Sequence, residues 1–262
     1  MLAFVVPLKS RRVAKSWDYV SQLFERTLRS ICNQMSPAFK VFVICHEKPQ
    51  IDFQHPAVSY LSVDFPVPGF SDHPALNLDK YRKLIVGFRA ARESGATHVI
   101  EVDADDCVSN RLAAVVARET GRAGWYFDSG YIYREGSGRI YRKGRHFYEW
   151  CGTSNIVRVD LLELPEILER GQGSRLLGHS RLRQRFTDRM TPLVALPFPG
   201  AVYVRIERGE ANHHRGMIPL MLRHQPSWIL HQAEQCVLEL FGSTHLTPRI
   251  AAEFGLYPIN AG

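Results

Sequence analysis

Residues 98–110 read HVIEVDADDCVSN. An apolar run, Val99, Ile100 and Val102, carries one acid, Glu101, and then breaks into Asp103, Asp105 and Asp106. The apolar part has the length and composition of a short buried strand. Carboxylates this close favour one another's protonation unless a cation neutralises them, and no basic residue stands among these three. A divalent cation with oxygen ligands is the simplest remedy, and Mg²⁺ or Mn²⁺ also takes ligands from substrate phosphates. The plainer reading is a strand-to-helix turn in which one aspartate caps the next helix and the others are solvated. The strand before the aspartates and a histidine-rich loop far downstream weigh against it.

Working outward, residues 78–94 place Tyr81, Leu84, Ile85, Phe88 and Ala91 on one helical face, closed by Gly95. Before them, 66–77 (PVPGFSDHPALN) is rich in proline and glycine and reads as loop. Residues 2–8 (LAFVVPL), 41–45 (VFVIC) and 58–65 (VSYLSVDF) read as strands, and 17–34 as an amphipathic helix carrying Val20, Leu23, Phe24, Leu28 and Ile31. The order β-α-β-β-α-β predicts a mostly parallel sheet flanked by helices, with ligands at the carboxyl ends of its strands. Downstream, SNRLAAVVARET predicts a helix with Ser109 or Asn110 as cap. Residues 125–148 predict an antiparallel hairpin or excursion around a Gly-Ser-Gly turn. A helix is expected near Val159, a strand at 201–207, a polar loop RGEANHHRG after it, and helical packing over 217–262. No interdomain linker stands out, which predicts one domain over 1–262.

Composition bounds the function. The chain has 262 residues, 45% hydrophobic and 23% charged, as in ordinary globular proteins. No apolar run reaches the roughly 18 to 20 residues that span a bilayer. The opening MLAFVVPLKSRR puts apolar residues before its charges, the reverse of a secretory signal, so a cytoplasmic location is expected. Five scattered cysteines without a CxxC pair argue against a disulfide framework or a cysteine zinc site. The net charge of +7 points to an anionic partner and gathers in segments 134–145 and 170–189. Solvated surface accounts for those clusters as well as phosphate or an anionic membrane face does. Without a zinc finger, RNA-binding aromatics or a repeat, nucleic acid is not expected.

With these elements in place, the sequence resembles the GT-A glycosyltransferases, particularly the family 2-like enzymes. VDADD after an apolar strand is similar to their DxD region, FVVPLKSR to their opening strand, and TLRSICNQ to the helix that follows. DKYRKLIVGFRAA resembles the helix that leads into the DxD strand, and WCGTSNIVRVDLL the acceptor-side segment, a small-residue turn followed by a strand and helix. The resemblance implies a nucleotide-sugar-binding half over about 1–110, and an acceptor-side half with carboxyl-terminal helices over about 111–262. It implies a metal-dependent, hexosyltransferase-like enzyme of polysaccharide biosynthesis. Such an enzyme uses Mn²⁺ or Mg²⁺ and moves a sugar from a nucleotide-diphosphate sugar to a glycan, lipid-linked or small-molecule acceptor. Peripheral association with the inner face of a membrane would suit a lipid-linked acceptor.

Residue by residue, the resemblance makes Asp105 the metal ligand, Asp103 a contact to the ribose or the metal's water, and Asp106 the alternative ligand. It lines the nucleotide pocket with Pro7 and Leu8, and puts Glu47 where relatives often have an aspartate that reads the base. Lys80 and Arg82 become candidates for the phosphates, although their helical spacing suits a solvated face equally. His213 or His214 would complete the metal site from the late loop, against the plainer reading of two surface histidines. An inverting enzyme also needs a carboxylate base, and the expected acid is missing from LLGHSRLRQRF. His179 and Glu149 are the two candidates for that role. Two other classes compete with this reading. A sugar-phosphate nucleotidyltransferase requires a glycine-rich GxGxR loop, and PLKSRRVAKSW contains no glycine. A non-catalytic binder of anionic polymers gives no reason for aspartates at a strand end.

Overall fold

The computed structural model describes residues 1–169, 171–206 and 242–259. His213, His214 and the stretch 217–241 of the expected helical region lie outside these residues.

The chain opens with β1 (Leu2–Pro7), fully apolar up to its proline. Helix α1 (Trp17–Cys32) follows, its Ser16 side chain accepting from the Tyr19 N–H as an N-cap. Then come β2 (Phe39–Cys45), β3 (Val58–Ser62), α2 (His73–Glu93) and β4 (His98–Glu101). β1 pairs in parallel with β2 on one side and β4 on the other, and β2 pairs in parallel with β3. The local order 3-2-1-4 reverses direction between β1 and β4. Such a switch point opens a crevice at the carboxyl ends of the two strands. Alternation along β1 divides the core. Leu2, Phe4 and Val6 pack with Phe24, Leu28 and Ile31 of α1, while Ala3 and Val5 pack with Leu84, Ile85 and Phe88 of α2. α2 comes so close to the sheet at Gly87 that a Cβ there would lie 2.3 Å from Val5 Cγ1.

The large sheet continues past β4 through β9 (Asn155–Arg158), β6 (Gly124–Tyr126) and β10 (Val194–Ala195). Among the described residues only β9 runs against the other strands of this sheet, so the expected mostly parallel sheet flanked by helices is present. The predicted hairpin forms between β7 (Gly130–Arg134) and β8 (Arg139–Lys143), turning on Gly136 and Gly138, both at positive φ. Among the described residues it is part of a second sheet of five strands rather than a small excursion. β11 (Ala201–Arg205), β5 (Cys107–Val108) and β12 (Thr244–His245) complete that sheet.

Some boundaries differ from the expectations. The predicted strand at 58–65 stops at Ser62 and the one at 201–207 at Arg205. α2 begins at His73 rather than near Leu78, because Asp72 caps it and Pro74 sits in the first turn, where its missing N–H has no cost. The helix after the aspartates, α3 (Leu112–Arg118), has neither Ser109 nor Asn110 at its cap position. Ser109 instead donates to Glu253 at 2.8 Å. The helix expected at Val159 is a single 3-10 turn over Val159–Leu161, and Pro165 stands four residues on. Helices resume as α4 (Gln172–Leu177) and α5 (His179–Asp188), and α6 (Pro248–Phe254) lies near the carboxyl terminus. The four described cysteines, Cys32, Cys45, Cys107 and Cys151, are free thiols.

Candidate active site

The aspartates leave the carboxyl end of β4 at the switch point, beside the loop that leaves β1. Their three side chains have different surroundings, which spacing alone could not show. Asp106 is buried, and both of its oxygens accept hydrogen bonds. The Val204 N–H reaches one at 3.1 Å; the Thr153 hydroxyl at 2.7 Å and the Cys151 thiol at 3.2 Å reach the other. Burial, followed by Asp105 and Asp103, pushes its pKa well above the ordinary carboxylate range, against the pull of Thr153 and Val204. Asp106 therefore joins the end of β4, the turn before β9 and the second sheet through β11. Asp105 is partly exposed and pushed up to about 6 by burial and then by Asp103, with Lys9 opposing. Lys9, in the loop after β1, thus acts on Asp105 through its charge.

Asp103 is partly exposed and is held through both its side chain and its backbone. Its Oδ1 accepts from Lys80 Nζ at 2.6 Å, and its N–H donates to Thr153 Oγ1 at 3.0 Å. Thr153 passes the polarity on to Asp106, so one hydroxyl sets the spacing of two acids. A Cβ on Gly152 would lie 2.6 Å from Asp103 Oδ2, so that carboxylate rests against bare backbone. Lys80 also pairs with Glu101 Oε1 at 2.7 Å. Its ammonium is pulled down by burial, but Asp103 and then Glu101 outweigh this and raise it well above the ordinary value. Glu101 is pushed up to about 7 by burial, and Lys80 opposes the shift. Lys80 thus faces the acids rather than open solvent. Arg82 stands with its guanidinium 6.0 Å from the Phe65 ring.

At the end of β1 the side chain of Leu8 is wholly buried, and its carbonyl accepts from Lys83 Nζ at 2.8 Å. Pro7 is the partly exposed last residue of the strand. Glu47, just past β2, accepts from Ser10 Oγ at 2.9 Å and from the Arg11 N–H at 3.1 Å. It ties the loop after β1 to the chain just past β2. Lys83 is fully buried, paired with Asp79 at 2.7 Å, and lowered by burial against that pairing.

The two candidate bases occupy different places. Glu149 is exposed in the 3-10 turn Phe147–Glu149, with His146 Nδ1 at 3.3 Å. His179, the first residue of α5, holds Nδ1 at 2.6 Å from the Tyr148 carbonyl. A carbonyl only accepts, so Nδ1 carries the proton and Nε2 keeps its lone pair. Burial lowers the His179 pKa, with the Tyr148 bond opposing, which favours the neutral ring. His179 lines a cavity of about 20 Å³ together with Glu101, Gly152 and Asn155, room for about one water.

Among the described residues, no three of His, Cys, Asp and Glu converge to cage a metal ion. Asp103 and Asp105 suit instead a hard cation that keeps water and draws phosphate oxygens into its shell. Lys9 and Lys80 both favour the ionised form of Asp105 against burial and Asp103, and that form is the one such a cation would need. Glu101, Gly152 and Thr153 belong to the site through contacts that the sequence pattern does not mark as functional. The alternation of Glu101 with Asp103 along the strand was the available signal for the first, since residues two apart share a face.

No protein-family model matches the sequence, and no curated protein matches it. Among solved structures, the crystal structure of S. aureus TarS 1–349 is similar at a TM-score of 0.46 and 12% identity, over 78% of this chain and 60% of that one. The chain therefore spans less than two thirds of that structure's length. No helix among the described residues is long and apolar enough to cross a membrane.

Proposed function

We propose that the protein is a metal-dependent glycosyltransferase that moves a sugar from a nucleotide-diphosphate sugar to a glycan or lipid-linked acceptor. The observation that carries this reading is the position of Asp103, Asp105 and Lys80 at the carboxyl edge where β1 and β4 part. Parallel sheets of this order bind phosphorylated ligands at that edge. Asp105, with Asp103 beside it, would hold a Mn²⁺ or Mg²⁺ ion. When bound, the ion stabilises the charge that develops on the departing nucleoside diphosphate.

The chain's own residues supply the rest. Lys80 and Lys9 bring positive charge to the same edge, and the Ser10–Glu47 bond holds the loop after β1 in place for the nucleotide. His179, neutral and with its Nε2 lone pair retained, is the better placed acceptor of a proton from the incoming hydroxyl, because its cavity is shared with Glu101 and Gly152. Glu149 lies out with His146 and takes no part in this reading. The arginines of α5 and of the β7–β8 hairpin suit an acceptor that bears negative charge.

The test is thermal unfolding with UDP-, GDP-, dTDP- and CDP-sugars, each with and without Mn²⁺. One donor should raise the midpoint, only with the metal, and should fail to do so in Asp105→Ala. No shift with any donor, or an undiminished shift in that variant, would overturn the assignment.

A further inference from the structure

Glu101 is a carboxylate within a strand whose neighbours are apolar, and neither donor binding nor proton transfer requires it. An acid in that position is costly unless it is paired. Its partner is Lys80, and Lys80 is shared. The ammonium stands 2.7 Å from Glu101 Oε1 and 2.6 Å from Asp103 Oδ1. Glu101 and Asp103 are two residues apart and project to the same side of the strand, while Gly152 closes in on both. A Cβ there would lie 2.6 Å from Asp103 Oδ2 and 3.5 Å from Glu101 Oε1.

An ammonium bound to one carboxylate alone would settle on it and compete with any other cation. We propose that Glu101 is a positioning residue: by sharing Lys80 it keeps that ammonium from closing wholly on Asp103, so Asp103 stays available to join Asp105 around a divalent cation. This rests on the metal-dependent reading above. Glu101 acts only through Lys80 and does not touch the cation itself.

The probe is Mn²⁺ alone, its uptake followed by loss of the free-ion electron paramagnetic resonance signal. Glu101→Gln and Glu101→Asp should each weaken Mn²⁺ binding by about tenfold, the size of coupling expected within one charge network. Lys80→Met should tighten it, and adding Glu101→Gln to Lys80→Met should change nothing further. A plain field effect predicts otherwise. Glu101→Gln would then weaken binding by the same factor with or without Lys80, and Glu101→Asp, which keeps the charge, would leave binding intact. Either result overturns the positioning role and leaves the metal site standing. Glu101→Asp preserves both charges of the buried pair, so the inference stays testable if Lys80→Met does not fold. If the wild-type protein takes up no Mn²⁺, or Asp105→Ala takes it up equally well, the metal reading falls and the role of Glu101 with it.

Discussion

Gly152 shows how much of the site depends on one absent methyl group. The Cβ of an alanine would overlap Asp103 Oδ2 at 2.6 Å, and a carboxylate at the end of a side chain can swing aside where backbone cannot. Gly152→Ala should therefore unfold within a few degrees of the wild-type midpoint and still lose most metal-dependent donor binding. Calorimetry on a variant that binds donor normally would refute this. Asp106 has the opposite profile. Removing its carboxylate leaves the Val204 N–H, the Thr153 hydroxyl and the Cys151 thiol facing a void. Asp106→Ala should lose at least about 2 kcal/mol of stability in urea unfolding, because each buried donor left unpaired costs on the order of 1–3 kcal/mol. A loss under half of that would show that water reaches the gap. Three aspartates in four positions were readable as a site, but their separate tasks were not. The partners that divide them, Lys80, Gly152, Thr153 and Val204, are 23 to 98 residues away in sequence.

The start of α2 decides where Lys80 lies on the helix, and so whether it faces the acids. Proline and glycine at 66–74 read as loop, while the periodic residues begin only at Leu78. What extends the helix backward is a cap, the Asp72 side chain accepting from the Ala75 N–H at 3.0 Å, followed by a proline that the first turn tolerates. Asp72→Ala should cost about 1 kcal/mol, the usual value of such a cap. A thermal midpoint unmoved by the change would mean that the first turn frays without consequence. Apolar periodicity is sufficient for β1, α1, β2 and β4, which are long or mostly buried. It could not reveal β5 and β10, which are two residues each and exist only through pairing with distant strands. The helix expected at Val159 failed for a related reason: the run VDLLEL has helical composition but not the length to hold a helix before Pro165.

Across the whole molecule, groups with opposed proton demands share one range of pH. His98 is fully buried between the Arg122 carbonyl and Thr97, and burial lowers its pKa below the ordinary 6.5 despite the hydrogen bond to that carbonyl. Above 6.5 it is neutral in both folded and unfolded chains. As pH falls below 6.5 the unfolded chain takes the proton first, so stability is lost until the depressed folded value is passed. Asp105 works in the other direction. Its carboxyl is raised to about 6 from an ordinary 3.8, so between those values the folded chain binds the proton first and acidification adds stability. The two contributions partly cancel in the wild-type protein between about 6.5 and 4. Substitution should separate them. His98→Gln, whose amide can still donate to the Arg122 carbonyl, should lose less of its thermal midpoint over that interval than the wild type. Asp105→Asn should stand higher at pH 7, freed of repulsion with Asp103, and should fall more steeply on acidification. Midpoints of the three proteins measured from pH 7.5 to 4 separate the outcomes: curves that stay parallel would show that neither group controls the acid response. In that case Asp105 and the buried imidazole would contribute to the fold through packing and hydrogen bonds alone.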